Sequence, residues 1–109
     1  MNLTVSSSDG FVVVKVDGRI DTTNASEFEL KMTGLIEGGS AKVILDCTGL
    51  NYISSSGLRV FLVIQKSMLA GGGLFRLCCL QPGIREIFDI SGFTKIFSIY
   101  PDLASAVKG

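Results

Sequence analysis

Residues 43–60 read VILDCTGLNYISSSGLRV, a strand pattern that runs directly into a helix pattern. The apolar run at 43–45 predicts a buried strand, and the apolar segment from Val60 to Leu69 predicts a buried helix. Three serines, at 54–56, lie where the strand passes into the helix. A helix start exposes unpaired N–H groups and a partial positive charge, so it suits serine caps and bound or covalent anions. A phosphoserine there would change the surface charge without disturbing the core, as a switch requires.

Outward from this stretch, strand and helix patterns alternate. Asn24 with Glu27 is typical of a helix N-cap, and 17–21 is typical of a turn. The predicted elements are strands at 3–5 and 11–16, a helix after Asn24, a strand at 42–45, a helix from about 56 to 70, a strand at 74–79, a helix after Pro82, a strand at 96–100 and a helix capped by Asp102. Strand–helix–strand alternation implies crossover units. We therefore expect one α/β domain over residues 1–109, with a small mixed sheet, mainly parallel with an N-terminal hairpin, and about four helices.

Composition narrows the classes of function. The chain has 109 residues, 47% hydrophobic and 18% charged, and a formal net charge of zero. This composition favours a packed core and predicts no direct binding of nucleic acid and no membrane insertion. No signal peptide is recognisable, and no apolar run reaches the roughly 20 residues of a membrane span. We expect a cytoplasmic protein.

Cysteine and histidine usage bears on metal and redox chemistry. The three cysteines are odd in number and two of them, Cys78 and Cys79, are adjacent, which is poor geometry for a structural disulfide. There is no histidine and no Cys-x-x-Cys spacing, so a zinc or transition-metal site is not expected. Reduced, core-filling thiols are the expectation. Asp21, Asp46 and Asn51 are explained equally well as turn residues and caps or as a polar cluster for a cation.

The serine cluster itself has two interpretations. One hydroxyl is enough to cap a helix, and Gly57 would then allow close packing. Three consecutive serines, however, leave hydroxyls without a structural role. The helix that follows is apolar on more than one side, with Leu58, Phe61, Leu62 and Leu69 able to line one face. Either the sheet and the other helices bury most of it, or part of it is a docking patch beside the serines.

At this point the residues resemble a known family. The run at 43–46, followed by Ile53-Ser54-Ser55-Ser56-Gly57-Leu58, resembles the signature of the STAS domain, and Gly18-Arg19-Ile20-Asp21 resembles its second signature. The element order agrees over essentially the whole chain. The resemblance implies a stand-alone bacterial anti-sigma factor antagonist. In such proteins a serine kinase that is also the anti-sigma factor phosphorylates a hydroxyl of the motif, a PP2C-type phosphatase removes the phosphate, and the unphosphorylated antagonist frees the sigma factor.

Carried over by position, the resemblance implies phosphorylation at Ser55, with Ser54 and Ser56 as weaker candidates. Ser54 stands where the family usually has Asp, and Arg59 stands where a small residue is common. We expect no enzyme activity, no cofactor and no metal, and a monomer or weak dimer. The expected partner surface comprises Asp21, Thr22, Asn24, Ser54, Ser56, Gly57, Leu58, Arg59, Val60 and Val63.

The same residues allow two other functions, a docking subunit and an enzyme with a serine nucleophile. A STAS subunit that is not phosphorylated and docks on a transporter or ATPase assembly would use the same face, and the missing Asp favours it. An enzyme with a serine nucleophile lacks the usual base, because the chain has no histidine and Lys66 lies about 11 residues, roughly 16 Å, along the helix.

Overall fold

The computed structural model describes residues 1–109. Five strands form one sheet whose spatial order follows the chain. The first pair is an antiparallel hairpin and the other pairs are parallel, which confirms the expected mixed sheet. The strands are β1 (Asn2–Ser8), β2 (Phe11–Ile20), β3 (Lys42–Ile53), β4 (Leu74–Cys78) and β5 (Ser98–Tyr100).

Four α-helices alternate with the strands as expected. They are α1 (Ala25–Glu37), α2 (Ser55–Ala70), α3 (Pro82–Ile90) and α4 (Leu103–Lys108), with a 3₁₀ turn at Phe93–Lys95. Successive parallel strands that advance in one direction through right-handed crossovers leave their connecting helices on one face of the sheet. The larger core accordingly joins that face to α1, α2 and α3, whereas α4 packs on the opposite face over a smaller core made of Phe11, Val13, Ile44, Cys78 and Ala106.

A group of phenylalanines holds α2 against its neighbours. The ring centroid of Phe61 lies 5.7 Å from that of Phe28 on α1, 6.0 Å from that of Phe88 on α3 and 6.4 Å from that of Phe97. All four side chains are buried. Aromatic pairs at these separations add to the stabilisation from burial alone. The position of α2, and of the serines at its start, is therefore set by the main core.

The predicted turn at 17–21 is wrong, because β2 continues through it to Ile20. Strand pairing with β3 persists there through two irregularities of register, and Gly18 has a φ of +100°. A glycine in the left-handed region permits a bulge without ending the strand. Strand β3 likewise runs to Ile53 rather than ending at Leu45. Close to the bulge, Gly49 lies against Asp17, and a Cβ there would force the carboxylate of that side chain to turn away.

None of the helices combines the length and the hydropathy that a membrane-spanning segment needs.

Candidate functional site

The two central strands end side by side, directly beneath the serine cluster. Ile20 and Ile53 are register partners at the ends of β2 and β3. The backbone N–H of Ser54 donates to the carbonyl of Ile20 at 2.9 Å, and α2 begins at the next residue. The start of α2 is therefore tied to the carboxyl edge of the sheet through a single linking residue.

Ser54 is the cap of α2. Its backbone is extended, with φ −85° and ψ 170°, and its Oγ accepts a hydrogen bond from the N–H of Gly57 at 3.2 Å. This confirms that one hydroxyl does the capping. Ser55 is exposed and Ser56 half-buried, and neither hydroxyl hydrogen-bonds to another group of the protein. Among the three serines, Ser55 is thus the most accessible and has no structural partner.

Gly57 brings the first turn of α2 close to the strands. A Cβ at this position would lie 2.8 Å from Cγ2 of Ile20 and 2.8 Å from Cγ1 of Ile53. Both isoleucines are buried, so neither can move aside cheaply. The expectation of close packing at Gly57 is confirmed, and the residue lies beneath the surface rather than on it.

The loop between β2 and α1 lies at the same edge. Asn24 occupies the N-cap position of α1, but the predicted side-chain cap is wrong. Its Oδ1 instead accepts from the N–H of Asp21 at 2.9 Å, and its Nδ2 donates to the carbonyl of Arg19 at 2.9 Å. Glu27, the other half of the expected cap, pairs with Lys31 at 3.1 Å. Asn24 therefore braces the loop from within.

Asp21 carries the charge of this loop. Its carboxylate accepts hydrogen bonds from the hydroxyl and the N–H of Thr23, and the Nε of Arg19 lies 3.5 Å away. The hydrogen bonds from Thr23, and then the Arg19 cation, lower the pKa of Asp21 below its usual value. The Arg19 guanidinium also lies 4.2 Å from the centroid of the Tyr52 ring. The edge thus presents an anion, a cation and an aromatic side chain together.

The outer side of α2 completes the site. Arg59 is exposed one turn beyond Ser55, Val63 is 37% exposed, and Leu58 is half-buried. Two residues correct the expected partner surface: Val60 is 1% exposed and packs in the main core, and Gly57 is buried against the strands. We call the exposed set Thr22, Tyr52, Ser55, Arg59 and Val63 the junction surface.

The structure brings most of the predicted site residues to this one edge, and it adds Arg19, Thr23 and Tyr52, which sequence reasoning missed. Arg19 and Tyr52 are register partners on β2 and β3. Strand pairing alone places these two residues together. The predicted turn at 17–21 ended the strand too early, so the pairing of Arg19 with Tyr52 could not be expected.

Comparisons with known proteins place these features in a family context. The sequence profile of the STAS domain matches residues 2–106. BtrV of Bordetella bronchiseptica, a candidate anti-sigma factor antagonist, is 38% identical over 99 residues, covering 91% of this chain and 85% of its own length. Among solved structures, a candidate anti-sigma factor antagonist from Thermotoga maritima is 21% identical and gives a TM-score of 0.93, covering 97% of this chain and 92% of its own. The phosphorylated form of the Bacillus cell fate determinant SpoIIAA is 20% identical and gives 0.70, covering 93% of each chain. The two structures share the fold.

Proposed function

We propose that this chain, which belongs to the STAS domain family, acts as an anti-sigma factor antagonist switched by phosphorylation of Ser55. Unphosphorylated, it binds a serine-kinase anti-sigma factor through the junction surface and so frees a sigma factor. Phosphate on Ser55 releases it, and a PP2C-type phosphatase restores it. Two relatives support the proposal. BtrV, a candidate anti-sigma factor antagonist, supports the antagonist activity, and the solved phosphorylated form of SpoIIAA supports the phosphorylation.

The three serines at the start of α2 have different roles, and this difference supports the proposal most strongly. Ser54 uses its Oγ as the cap of α2, whereas the Ser55 hydroxyl is exposed and has no partner in the protein. A kinase can therefore reach Ser55 and modify it without removing a structural hydrogen bond. Ser56 is half-buried, which makes it the less accessible neighbour.

The position of Ser54 accounts for one departure from the family pattern. Where the family usually has Asp, this chain has the N-cap of α2, and Ser and Asp are about equally good at that position. Substituting Ser for Asp thus keeps the cap and removes only a negative charge beside Ser55. The cation of Arg59, one turn away on the same helix, further shifts the local charge in the positive direction.

Magnitudes indicate how phosphate would act. It adds about −1.5 to −2 charges. Attraction to the start of α2 contributes roughly 0.3–1 kcal/mol, and about 2 kcal/mol at best. Changing the partner's occupancy from nearly all bound to nearly all free requires a change of about 5.5 kcal/mol in the free energy of binding. Desolvation can supply the difference, since pressing a dianion against a partly apolar surface costs several kcal/mol, and the exposed Arg59 one turn away offsets only about 0.2–0.5 kcal/mol of that cost. Val63 and Tyr52 provide the apolar part of that surface.

Incubation with the cognate kinase and ATP, followed by intact-mass measurement, tests the modification. We expect one added phosphate on the parent chain and none on Ser55→Ala. Binding is tested with the same kinase: Ser55→Ala should bind constitutively and Ser55→Asp should bind weakly. Ser67→Asp is the matched control, because it adds the same charge to an exposed position on α2 about 18 Å along the helix. Equal binding by the Ala and Asp variants at position 55 would refute the mechanism.

A second candidate rests on the missing carboxylate beside Ser55. Without that charge, the same junction surface suits a subunit that docks on a transporter or ATPase assembly and is never phosphorylated. The mass measurement separates the two functions, because the docking subunit would gain no phosphate from any kinase that it binds.

A further inference from the structure

The sheet face opposite α1, α2 and α3 carries a cluster of thiol and carboxylate groups. Asp46 on β3 and Cys78 at the end of β4 are register partners. Residues paired across neighbouring strands project from the same face, and Cys78 lies in the smaller core under α4. Strand pairing thus sets a carboxylate beside a buried thiol.

Cys79 joins them through an unusual backbone conformation. In a regular strand, the residue after Cys78 would point to the opposite face. Cys79 instead has a φ of +64°, in the left-handed region that a residue with a Cβ occupies only at a cost of about 1–2 kcal/mol. This turn brings two consecutive thiols to the same side of the sheet. The ligand atoms of Asp46, Cys78 and Cys79 lie within 4.8 Å of one another.

The carboxylate is oriented by a neighbour. Oδ1 of Asp46 accepts hydrogen bonds from the N–H of Thr48 at 3.0 Å and from its hydroxyl at 2.6 Å. These bonds hold the group in place and leave Oδ2 free. Metal-ligating carboxylates are commonly oriented in this way by a second residue. Asp46 and Cys79 are both partly exposed, so an ion can reach the cluster from solvent.

We infer that Asp46, Cys78 and Cys79 form a binding site for a thiophilic divalent cation such as zinc. Two sulfurs, one carboxylate oxygen and one water would give zinc its four ligands. Bonds of 2.0–2.3 Å imply separations of roughly 3.5–3.8 Å between ligand atoms, so the cluster has to close by only about 1 Å. The sequence, with no histidine and no Cys-x-x-Cys spacing, gave no sign of this site. The three residues come together only through strand register and the backbone torsion of Cys79.

The proton and charge balance of binding is simple. Each thiol gives up its proton to the buffer as its metal–sulfur bond forms, and the carboxylate binds as the anion. The complex of one zinc ion, two thiolates and one carboxylate carries a net charge of −1. Lys15 is the register partner of Asp46 on its other side and supplies a nearby positive charge.

The test uses the reduced full chain under anaerobic conditions, with Co²⁺ as the spectroscopic probe and Zn²⁺ as the competitor. We expect a sulfur-to-cobalt charge-transfer band that saturates at one equivalent and disappears when Zn²⁺ is added. Thr48→Val, which removes only the orienting hydroxyl, should weaken binding about tenfold. Asp46→Asn and Cys79→Ser should weaken it more. Circular dichroism measures whether each variant is folded. If Cys79→Ser does not fold, Thr48→Val still provides the test.

Cys47→Ala is the matched control. It also removes one buried thiol, but that thiol lies in the main core on the other face of the sheet. Its cobalt spectrum should equal that of the parent chain. Absence of the thiolate band, its persistence in Cys79→Ser, or an equal loss in Cys47→Ala would overturn the assignment.

Discussion

Replacing Ser54 by Ala removes the side-chain acceptor that serves the first turn of α2. The bond from the Gly57 N–H to Ser54 Oγ is 3.2 Å long, and its loss leaves that N–H without a partner in a half-buried place. Loss of an N-cap costs about 1 kcal/mol, within a range of roughly 0.5–2. For a chain of this size we expect a fall in Tm of about 4–5 °C. Ser54→Asp preserves the acceptor and adds a favourable charge at the helix start, so its stability should equal or exceed that of the parent.

Urea unfolding followed by far-UV circular dichroism measures these differences, with Ser55→Ala as the control on the neighbouring hydroxyl. Ser55 is exposed and makes no hydrogen bond, so its variant should stay within about 0.5 kcal/mol of the parent. If Ser54→Ala were as stable as the parent, or if Ser55→Ala lost as much stability, the assignment of the cap to Ser54 would be refuted. The Ser55 hydroxyl would then no longer be free for modification.

Three further predictions concern the same edge. Gly57→Ala should lower the free energy of unfolding by about 1–3 kcal/mol, measured in urea, because its methyl group would press on two buried isoleucines; an unchanged midpoint would contradict the packing. The depressed pKa of Asp21 contributes stability above the unfolded-state value of 3.8, and this stability is lost as the pH falls through the folded-state value. Thr23→Val should therefore raise the NMR-measured pKa of Asp21, and a constant pKa would refute the role of that hydroxyl. On the chain phosphorylated at Ser55, Arg59→Gln should raise the second phosphate pKa by roughly 0.3 unit in a ³¹P titration; no change would show that the guanidinium does not reach the phosphate.

The order of strands and helices could be predicted from sequence because periodicity and glycine stops are local signals. Strand extents could not, since Asp17-Gly18 carries a turn signal that the sheet absorbs as a bulge. Capping by one of the serines could be predicted, as one of two open interpretations. The hydrogen bonds of Asn24 could not be predicted, because they join groups whose positions depend on the bulged end of β2.

Which side of α2 faces solvent was also beyond the sequence. A helix with apolar residues on several sides has no unique buried face in its pattern. Packing against the sheet and α1 decides that Val60 is buried and Val63 is exposed, and that Leu69, which can share a face with Leu58 and Phe61, is 63% exposed. Tertiary contacts, rather than periodicity, therefore select the residues available to a partner.

Phosphate on Ser55 should block a protein contact. Calorimetric titration of the cognate kinase with two forms of this chain, one unmodified and one carrying phosphoserine at position 55, measures the effect. Desolvation of the dianion should cost several kcal/mol, so Kd should rise by at least about two orders of magnitude, and by about four when phosphate alone changes the partner from nearly all bound to nearly all free. Equal affinity of the two forms would contradict the account.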